Sequence, residues 1–124
     1  MKSRLLLVED NAVLQRALTE SLSGIFDVVQ VSATAADAIA WLEAHPRGWD
    51  VAVIDIFLRQ GHGFEVLRQC AARQPGQRVV VLSNYTREPA RTSALKLGAD
   101  AVYDKTFEME AFLASCDVHA QVHA

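Results

Sequence analysis

Five polar residues end or follow apolar runs in this sequence, and their types converge on one chemistry. Glu9 and Asp10 close LLLVED, Asp55 closes VAVID, Ser83 closes VVVLS, and Lys105 follows DAVYD. Three carboxylates drawn together cannot all stay ionised unaided, because repulsion and lost hydration cost roughly several kcal/mol per uncompensated buried charge. A hard divalent cation with oxygen ligands relieves that repulsion. Mg2+ (or Mn2+) suits a site of one or two carboxylates, backbone carbonyls, waters and phosphate oxygens. Lys105 supplies a second positive charge. Ser83 has no part in neutralising acids, but a hydroxyl donor suits a phosphoryl oxygen. The set is composed for phosphoryl transfer onto a carboxylate.

Such a set works only if the chain brings it together, and the hydropathy pattern predicts how. Short runs rich in β-branched residues, RLLLV (4–8), FDVVQV (26–31), VAVI (51–54), RVVVL (78–82) and the weaker DAVY (100–103), read as strands. Between them lie helically spaced apolar residues: Leu14, Leu18 and Leu22; Ala35, Ala38, Ile39 and Leu42; Phe64, Leu67, Cys70 and Ala71; then the stretch from Pro89 to Leu97. Met109, Phe112, Leu113 and Cys116 mark a last helix, with a short tail expected over about 117–124. Thr34 followed by Asp37 resembles a capping box, Pro89 suits a first helical turn, and Gly24 and Gly98 suit helix ends.

Five β-α units with continuous apolar strands predict an α/β domain whose parallel sheet is covered by helices on both faces. Five strands fit the flavodoxin-like doubly wound order 2-1-3-4-5, in which ligands bind beyond the carboxyl ends of the strands. In that order strands 1, 3, 4 and 5 are neighbours. Glu9, Asp10, Asp55, Ser83 and Lys105 should therefore meet at one end of the sheet.

At these residues the sequence resembles the receiver domain of two-component response regulators. LLLVEDN carries the acidic pair, VIDIFLRQGHGFEVL the phosphoacceptor segment with Gly63 eight residues after Asp55, VVVLSNY the hydroxyl, and GADAVYDKTFE the lysine. Four such segments in order, spanning nearly the whole chain, form a specific signal. The resemblance implies that Asp55 accepts a phosphoryl group from a phosphohistidine on a sensor histidine kinase or phosphotransfer protein. It implies that Asp10 and Asp55 bind Mg2+ directly, Glu9 through water and Phe57 through its backbone carbonyl. Ser83 would hydrogen-bond the phosphoryl group and Lys105 would pair with it. Output would pass to a downstream protein or a second copy through the face of helix 4, strand 5 and helix 5. Catalysis would be limited to the domain's own phosphorylation and dephosphorylation. The alternative is a receiver-like interaction module that works without phosphate, which predicts loss of an acid, hydroxyl or lysine position; all are present.

The chain departs from the family pattern in two places. Receivers carry an aromatic residue three positions before the lysine, where this chain has Val102, with Tyr103 next on the opposite strand face. Thr106 replaces the proline that commonly follows the lysine, so no cis peptide is expected there. Phe57 and Tyr85, each two residues beyond a site residue, are bulky and would restrict an attacking water.

Composition bounds the rest. With 124 residues, 51% hydrophobic and 22% charged, the chain reads as one domain over 1–124, and a net charge of −3 with scattered Lys and Arg argues against nucleic-acid binding by this chain. No apolar run approaches membrane-spanning length and the N-terminus lacks a signal-peptide pattern, so a cytoplasmic protein is expected. Cys70 and Cys116 read as buried reduced thiols. A haloacid-dehalogenase phosphatase needs an aspartate where Phe57 stands, no GxxxxGK[ST] loop is present, and GHG at 61–63 lacks the third glycine of a dinucleotide loop. A flavodoxin needs hydroxyls where Glu9, Asp10 and Asn11 stand. His119 and His123 are spaced for a metal on a helix face but lack further ligands. His45 and His62 read as loop residues, and Trp41 and Trp49 as packing residues.

Overall fold

The computed structural model describes residues 2–123, with side chains as far as Asp117. The strands are β1 (Arg4–Val8), β2 (Asp27–Ser32), β3 (Val51–Ile54), β4 (Arg78–Ser83) and β5 (Ala101–Asp104). The helices are α1 (Ala12–Ser23), α2 (Ala35–Ala44), α3 (Gly63–Gln69), α4 (Ala90–Lys96) and α5 (Met109–His123). All strand pairs are parallel, in the order β2-β1-β3-β4-β5 expected from the sequence.

The two faces of the sheet sort residues by the period-two rule. Leu6, Val8, Ala52, Ile54, Val79, Val81 and Val102 pack toward α2, α3 and α4, against Leu42, Val66, Leu67 and Ala94. Leu5, Leu7, Val51, Val53, Val80 and Leu82 pack toward α1 and α5, against Leu18, Leu22 and Phe112. Strands buried on both faces are why the sequence reads as continuous apolar runs. Arg73 ties the far end of the α3 layer together, donating to the carbonyls of Cys70, Gln77 and Gly98 and pairing with Asp100 at 3.1 Å.

Several local expectations hold. Thr34 caps α2 by accepting the amide of Asp37 at 3.1 Å, while the Asp37 carboxylate is reached by Gln30 rather than closing a full capping box. Trp49 is buried and Trp41 packs against the core while stacking on His45. Gly98 follows α4 with φ of 109°, the left-handed region that glycine occupies without strain. Other expectations shift: β4 runs one residue further than expected, to Ser83, and β5 lies one residue late, at Ala101–Asp104. β2 starts one residue late, because Phe26 is buried as a core residue just before the ladder begins. The segment expected as a tail from 117 continues α5 through His123, since neither glycine nor proline interrupts it and alanine favours helix. The side chains of His119 and His123 lie outside the described residues.

Cys70 and Cys116 are both free and buried. Burial pushes the Cys70 thiol up to about 12 and the Cys116 thiol up to about 11. The thiolate is the reactive form, so iodoacetamide at pH 8 is expected to label neither cysteine in the native protein and both in urea. Labelling of Cys70 without unfolding, read by peptide mass, would contradict this packing. Among the described residues no helix is long and apolar enough to cross a membrane.

Candidate functional site

The ladder itself brings the polar residues together. Val8 pairs with Ile54 in register, and one step further the Asp55 amide donates to the Val8 carbonyl at 3.0 Å. On the other side Ser83 pairs with Asp104, and the Lys105 amide donates to the Ser83 carbonyl at 3.0 Å. Glu9 is fixed by its amide to the Ser32 carbonyl at 2.9 Å. Glu9, Asp55 and Lys105 are each the first residue past a strand, Asp10 is the second, Ser83 is the last of its strand, and all sit at the sheet end where the strand order reverses between β1 and β3.

There Lys105 Nζ lies 2.5 Å from Glu9 Oε1 and 2.8 Å from Asp55 Oδ2, a bridge between two nearly inaccessible carboxylates, Glu9 being 2% and Asp55 5% exposed. Glu9 Oε2 accepts the Asn11 amide at 3.0 Å, and the Gln15 side chain donates to the Glu9 carbonyl. Asp10, half-buried, accepts the Arg59 amide at 2.6 Å. Buried Ser83 accepts the Tyr85 amide on Oγ at 3.2 Å. Glu9, Asp10, Asp55, Ser83 and Lys105, with Phe57 and Tyr85 among the rest of its lining, border a cleft of about 550 Å³.

The electrostatics carry an unbalanced negative charge. Burial raises the Glu9 carboxyl above its usual range, outweighing the opposing pull of Lys105 and the Asn11 amide. For Lys105 burial pulls the ammonium down, but its hydrogen bonds to Asp55 and Glu9 prevail and the net shift is upward. One lysine faces three acids, Glu9, Asp10 and Asp55, whose oxygens lie within 4.8 Å of one another. That donor set, all hard oxygen and in excess of its cation, fits a divalent ion of the Mg2+ class.

The surroundings include residues whose roles the sequence did not reveal. Asn11 caps α1, accepting the Leu14 amide at 2.9 Å. His62, expected as a loop residue, caps α3: its Nδ1 accepts the Phe64 amide at 3.1 Å and Glu65 returns to the His62 amide at 3.0 Å. The spacing His62-x-x-Glu65 is the signal that could have found this. Phe57 and Tyr85, 51% and 49% exposed, meet edge to face with ring centroids 4.9 Å apart at the mouth of the cleft. Val102 is buried on the α4 side, whereas Tyr103 lies on the other face with its ring 5.7 Å from that of Phe112. The strand alternation expected for this pair holds. The Glu88–Pro89 bond is cis, and the Lys105–Thr106 bond is not.

Beside Lys105, Asp104 accepts the amides of Thr106 and Phe107 at 2.8 and 3.0 Å and the Thr86 hydroxyl at 3.0 Å. Partial desolvation pushes its carboxyl up, but these donors together hold it below the usual range. Glu108 is lowered chiefly by its hydrogen bond with Arg91.

Known proteins resemble this chain in sequence and in fold. The DNA-binding transcriptional activator DevR/DosR of Mycobacterium tuberculosis is 34% identical over 120 residues, 94% of this chain and 54% of that protein. The photosynthetic apparatus regulatory protein RegA of Cereibacter sphaeroides is 30% identical over 95 residues, 77% of this chain and 50% of the relative. A protein-glutamate methylesterase/protein-glutamine glutaminase of Symbiobacterium thermophilum is 37% identical over 102 residues, 77% of this chain and 27% of the relative. The chain spans about half the length of the first two and about a quarter of the third. Among solved structures, the response regulator domain of Thermotoga maritima CheB superposes with a TM-score of 0.82 at 21% identity, covering 98% of both chains. A chain of the CheX–CheY–BeF3–Mg2+ complex of Borrelia burgdorferi gives 0.82 at 20% identity, covering 98% of this chain and 90% of that one. Residues 5–117 match the response regulator receiver domain family. That match takes in the five strands but for Arg4, together with the strand ends on which the acids, the hydroxyl and the lysine meet, and by it this chain belongs to the response regulator receiver domains.

Proposed function

We propose that the chain is a phosphoacceptor receiver in which Asp55 takes a phosphoryl group from a phosphohistidine on a histidine kinase or phosphotransfer protein. The observation that carries this reading is the Lys105 ammonium bridging buried Asp55 and Glu9 beside the Ser83 hydroxyl. In transfer, the Asp55 oxygen that Lys105 does not hold attacks phosphorus in line. The P–N bond breaks, and its electron pair goes to the imidazole nitrogen. Lys105, already at the acceptor, follows the developing negative charge from carboxylate to phosphoryl oxygen. Ser83 Oγ accepts the Tyr85 amide and so keeps its own proton to donate to a second phosphoryl oxygen. Glu9, Asp10, Asp55 and the backbone carbonyl of Phe57 would hold Mg2+ (or Mn2+), which supplies charge neutralisation for the incoming phosphate. A fold neighbour solved with BeF3 and Mg2+ supports the same chemistry.

The test is the intact mass after incubation with acetyl phosphate and Mg2+. A metal-dependent phosphoryl adduct is expected in the native sequence and none in Asp55→Asn. No adduct with either acetyl phosphate or a phosphorylated histidine kinase would return the chain to the phosphate-independent module.

Phe57 and Tyr85 set the lifetime of the adduct in this reading. Their rings crowd the mouth of the cleft, where hydrolytic water must line up opposite the Asp55 oxygen. Replacing both, Phe57→Ser with Tyr85→Asn, is expected to speed decay by about tenfold, equivalent to roughly 1.4 kcal/mol of barrier. A decay rate equal to that of the native sequence, followed by phosphate release, would exclude the rings from this role.

A further inference from the structure

Asn84 joins the loop after Ser83 to the loop that carries Lys105, and the transfer described above gives it no task. It follows Ser83 directly, is exposed, and borders the same cleft as Glu9, Asp10, Asp55, Ser83 and Lys105. Its carboxamide is held at one end only. The Thr106 hydroxyl donates to Asn84 Oδ1 at 3.3 Å, and among the described residues Nδ2 donates to no protein group.

Thr106 is itself fixed. Its amide donates to Asp104 Oδ1 at 2.8 Å, and β-branching restricts its χ1. The backbones of the two loops are tied as well, since the Lys105 amide donates to the Ser83 carbonyl at 3.0 Å. A hydroxyl that donates to Oδ1 assigns the two ends of the carboxamide, the oxygen toward Thr106 and the two N–H donors of Nδ2 away from it. Among the described residues Thr106 does not line the cleft, whereas Asn84 does. The donor end is therefore the part of this side chain that serves the cleft. An incoming phosphoryl group spreads its charge over three equatorial oxygens. Lys105 and Ser83 answer two of them in the reading above, and Nδ2, engaged by no protein acceptor, is available to the remaining one alongside the cation.

We propose that Asn84 is a catalytic residue of the transfer, its Nδ2 donating to a phosphoryl oxygen, and that Thr106 is the positioning residue that presents it. This rests on the phosphoacceptor reading and adds two residues to it. No proton changes hands: the N–H hydrogens stay on Nδ2 while the P–N bond of the donor breaks and the bond from Asp55 oxygen to phosphorus forms. The same oxygens carry the charge when water later attacks phosphorus, so Asn84 assists formation and hydrolysis of the adduct alike. A side chain that only obstructed the cleft would do the opposite, because shortening it would admit phosphodonor and water more freely. The sign of the effect separates a donor from a screen.

The experiment measures adduct formation from acetyl phosphate and Mg2+ by intact mass, and adduct decay by phosphate release once the reagent is removed, with urea midpoints to show that each variant is folded. Asn84→Ala is expected to slow both steps about tenfold, less than the roughly hundredfold or more lost with a donor in a water-excluded oxyanion site, because Asn84 is exposed. Thr106→Val, which keeps the shape and loses the hydroxyl, is expected to slow both about threefold, the worth of one modest hydrogen bond. Thr106→Ser should recover most of that loss, and Thr106→Val should add nothing once Asn84 is alanine. Formation or decay in Asn84→Ala at or above the native rate overturns the donor role and leaves the phosphoacceptor reading standing. Thr106→Val at the native rates, or Thr106→Ser as slow as Thr106→Val, overturns the positioning role of Thr106. No adduct in the native sequence with acetyl phosphate or with a phosphorylated histidine kinase overturns the phosphoacceptor reading and this inference together.

Discussion

Lys105→Met is expected to lower the unfolding free energy by about 3 kcal/mol at neutral pH without divalent cations, and Mg2+ is expected to return much of it. Removing one member of a buried charge pair leaves its partners uncompensated, at a cost of about 3–5 kcal/mol. Here two carboxylates, Glu9 and Asp55, lose the same ammonium. The lower end of the range applies because Glu9, already raised by burial, can take up a proton. The signs follow from linkage. Lys105 is raised in the folded state, so its contribution is complete below its ordinary value of 10.5 and is lost only as pH rises through the folded one. Glu9 is also raised, so its unfavourable charge is absent below its ordinary 4.5 and grows as pH rises through the folded value. The deficit of Lys105→Met should therefore shrink on acidification. A ligand bound only by the folded state at 100 times its Kd adds about 2.7 kcal/mol, and Mg2+ should help this variant more than the native protein, because cation and lysine answer the same charge. Asp55→Asn, which removes an acid and leaves Lys105 with Glu9, should cost less and respond less to Mg2+. Urea unfolding with and without Mg2+ decides: equal midpoints for the native and Lys105→Met proteins in EDTA would mean that the lysine compensates nothing.

That balance of three acids and one lysine was legible before the fold was seen, because strand ends are marked by hydropathy and the order 2-1-3-4-5 makes the relevant strands neighbours. The β1 limits at Arg4 and Val8, and those of β3 at Val51 and Ile54, match the apolar runs because these strands are buried on both faces. β2 lies at the edge of the sheet and is only partly buried, and there the run misplaces the start by one residue. Hydropathy registers burial, and Phe26 is buried without being in the ladder. The contacts of Arg91, which donates to the carbonyls of Thr86 and Val102 and to the Glu108 carboxylate, were illegible for a different reason. Its partners, Thr86, Val102 and Glu108, become neighbours through the packing of α4 on β5, which no local pattern encodes. Sequence marks Arg91 only as one of many surface cations. The fate of residues 117–123 was misread because the apolar stripe fades after Cys116, whereas helix continuation there needs only the absence of a breaker.

Gly63→Ala is expected to cost about 3 kcal/mol or more, at the upper end of overpacking penalties, and to slow adduct formation at a residue that never touches phosphate. The spacing of Gly63 after Asp55 is visible in sequence, but its reason is steric. The segment from 57 to 62 folds back so that Phe57 and His62 form an isolated bridge, and the Gly63 amide donates to the Ile56 carbonyl at 2.6 Å. A Cβ on residue 63 would lie 2.1 Å from the Asp55 carbonyl oxygen and 2.7 Å from Ile56 Cα. Both are backbone atoms, so no rotamer change relieves the clash; either α3 retreats or the Asp55 peptide turns. The second course moves the acceptor carboxylate relative to Lys105, and positioning is most of what phosphoryl transfer asks of the protein. Gly24→Ala is the matching control. Gly24 ends α1 with φ of −72°, and a Cβ there meets nothing within 4 Å. Ala is allowed at that conformation and should be neutral or stabilise by roughly 0.4–1 kcal/mol through the unfolded chain. Urea midpoints and acetyl phosphate adduct rates for both variants separate the cases. Two alanines with native midpoints and native rates would mean that the loop after Asp55 has slack, and that the acceptor is not held by the close approach of α3.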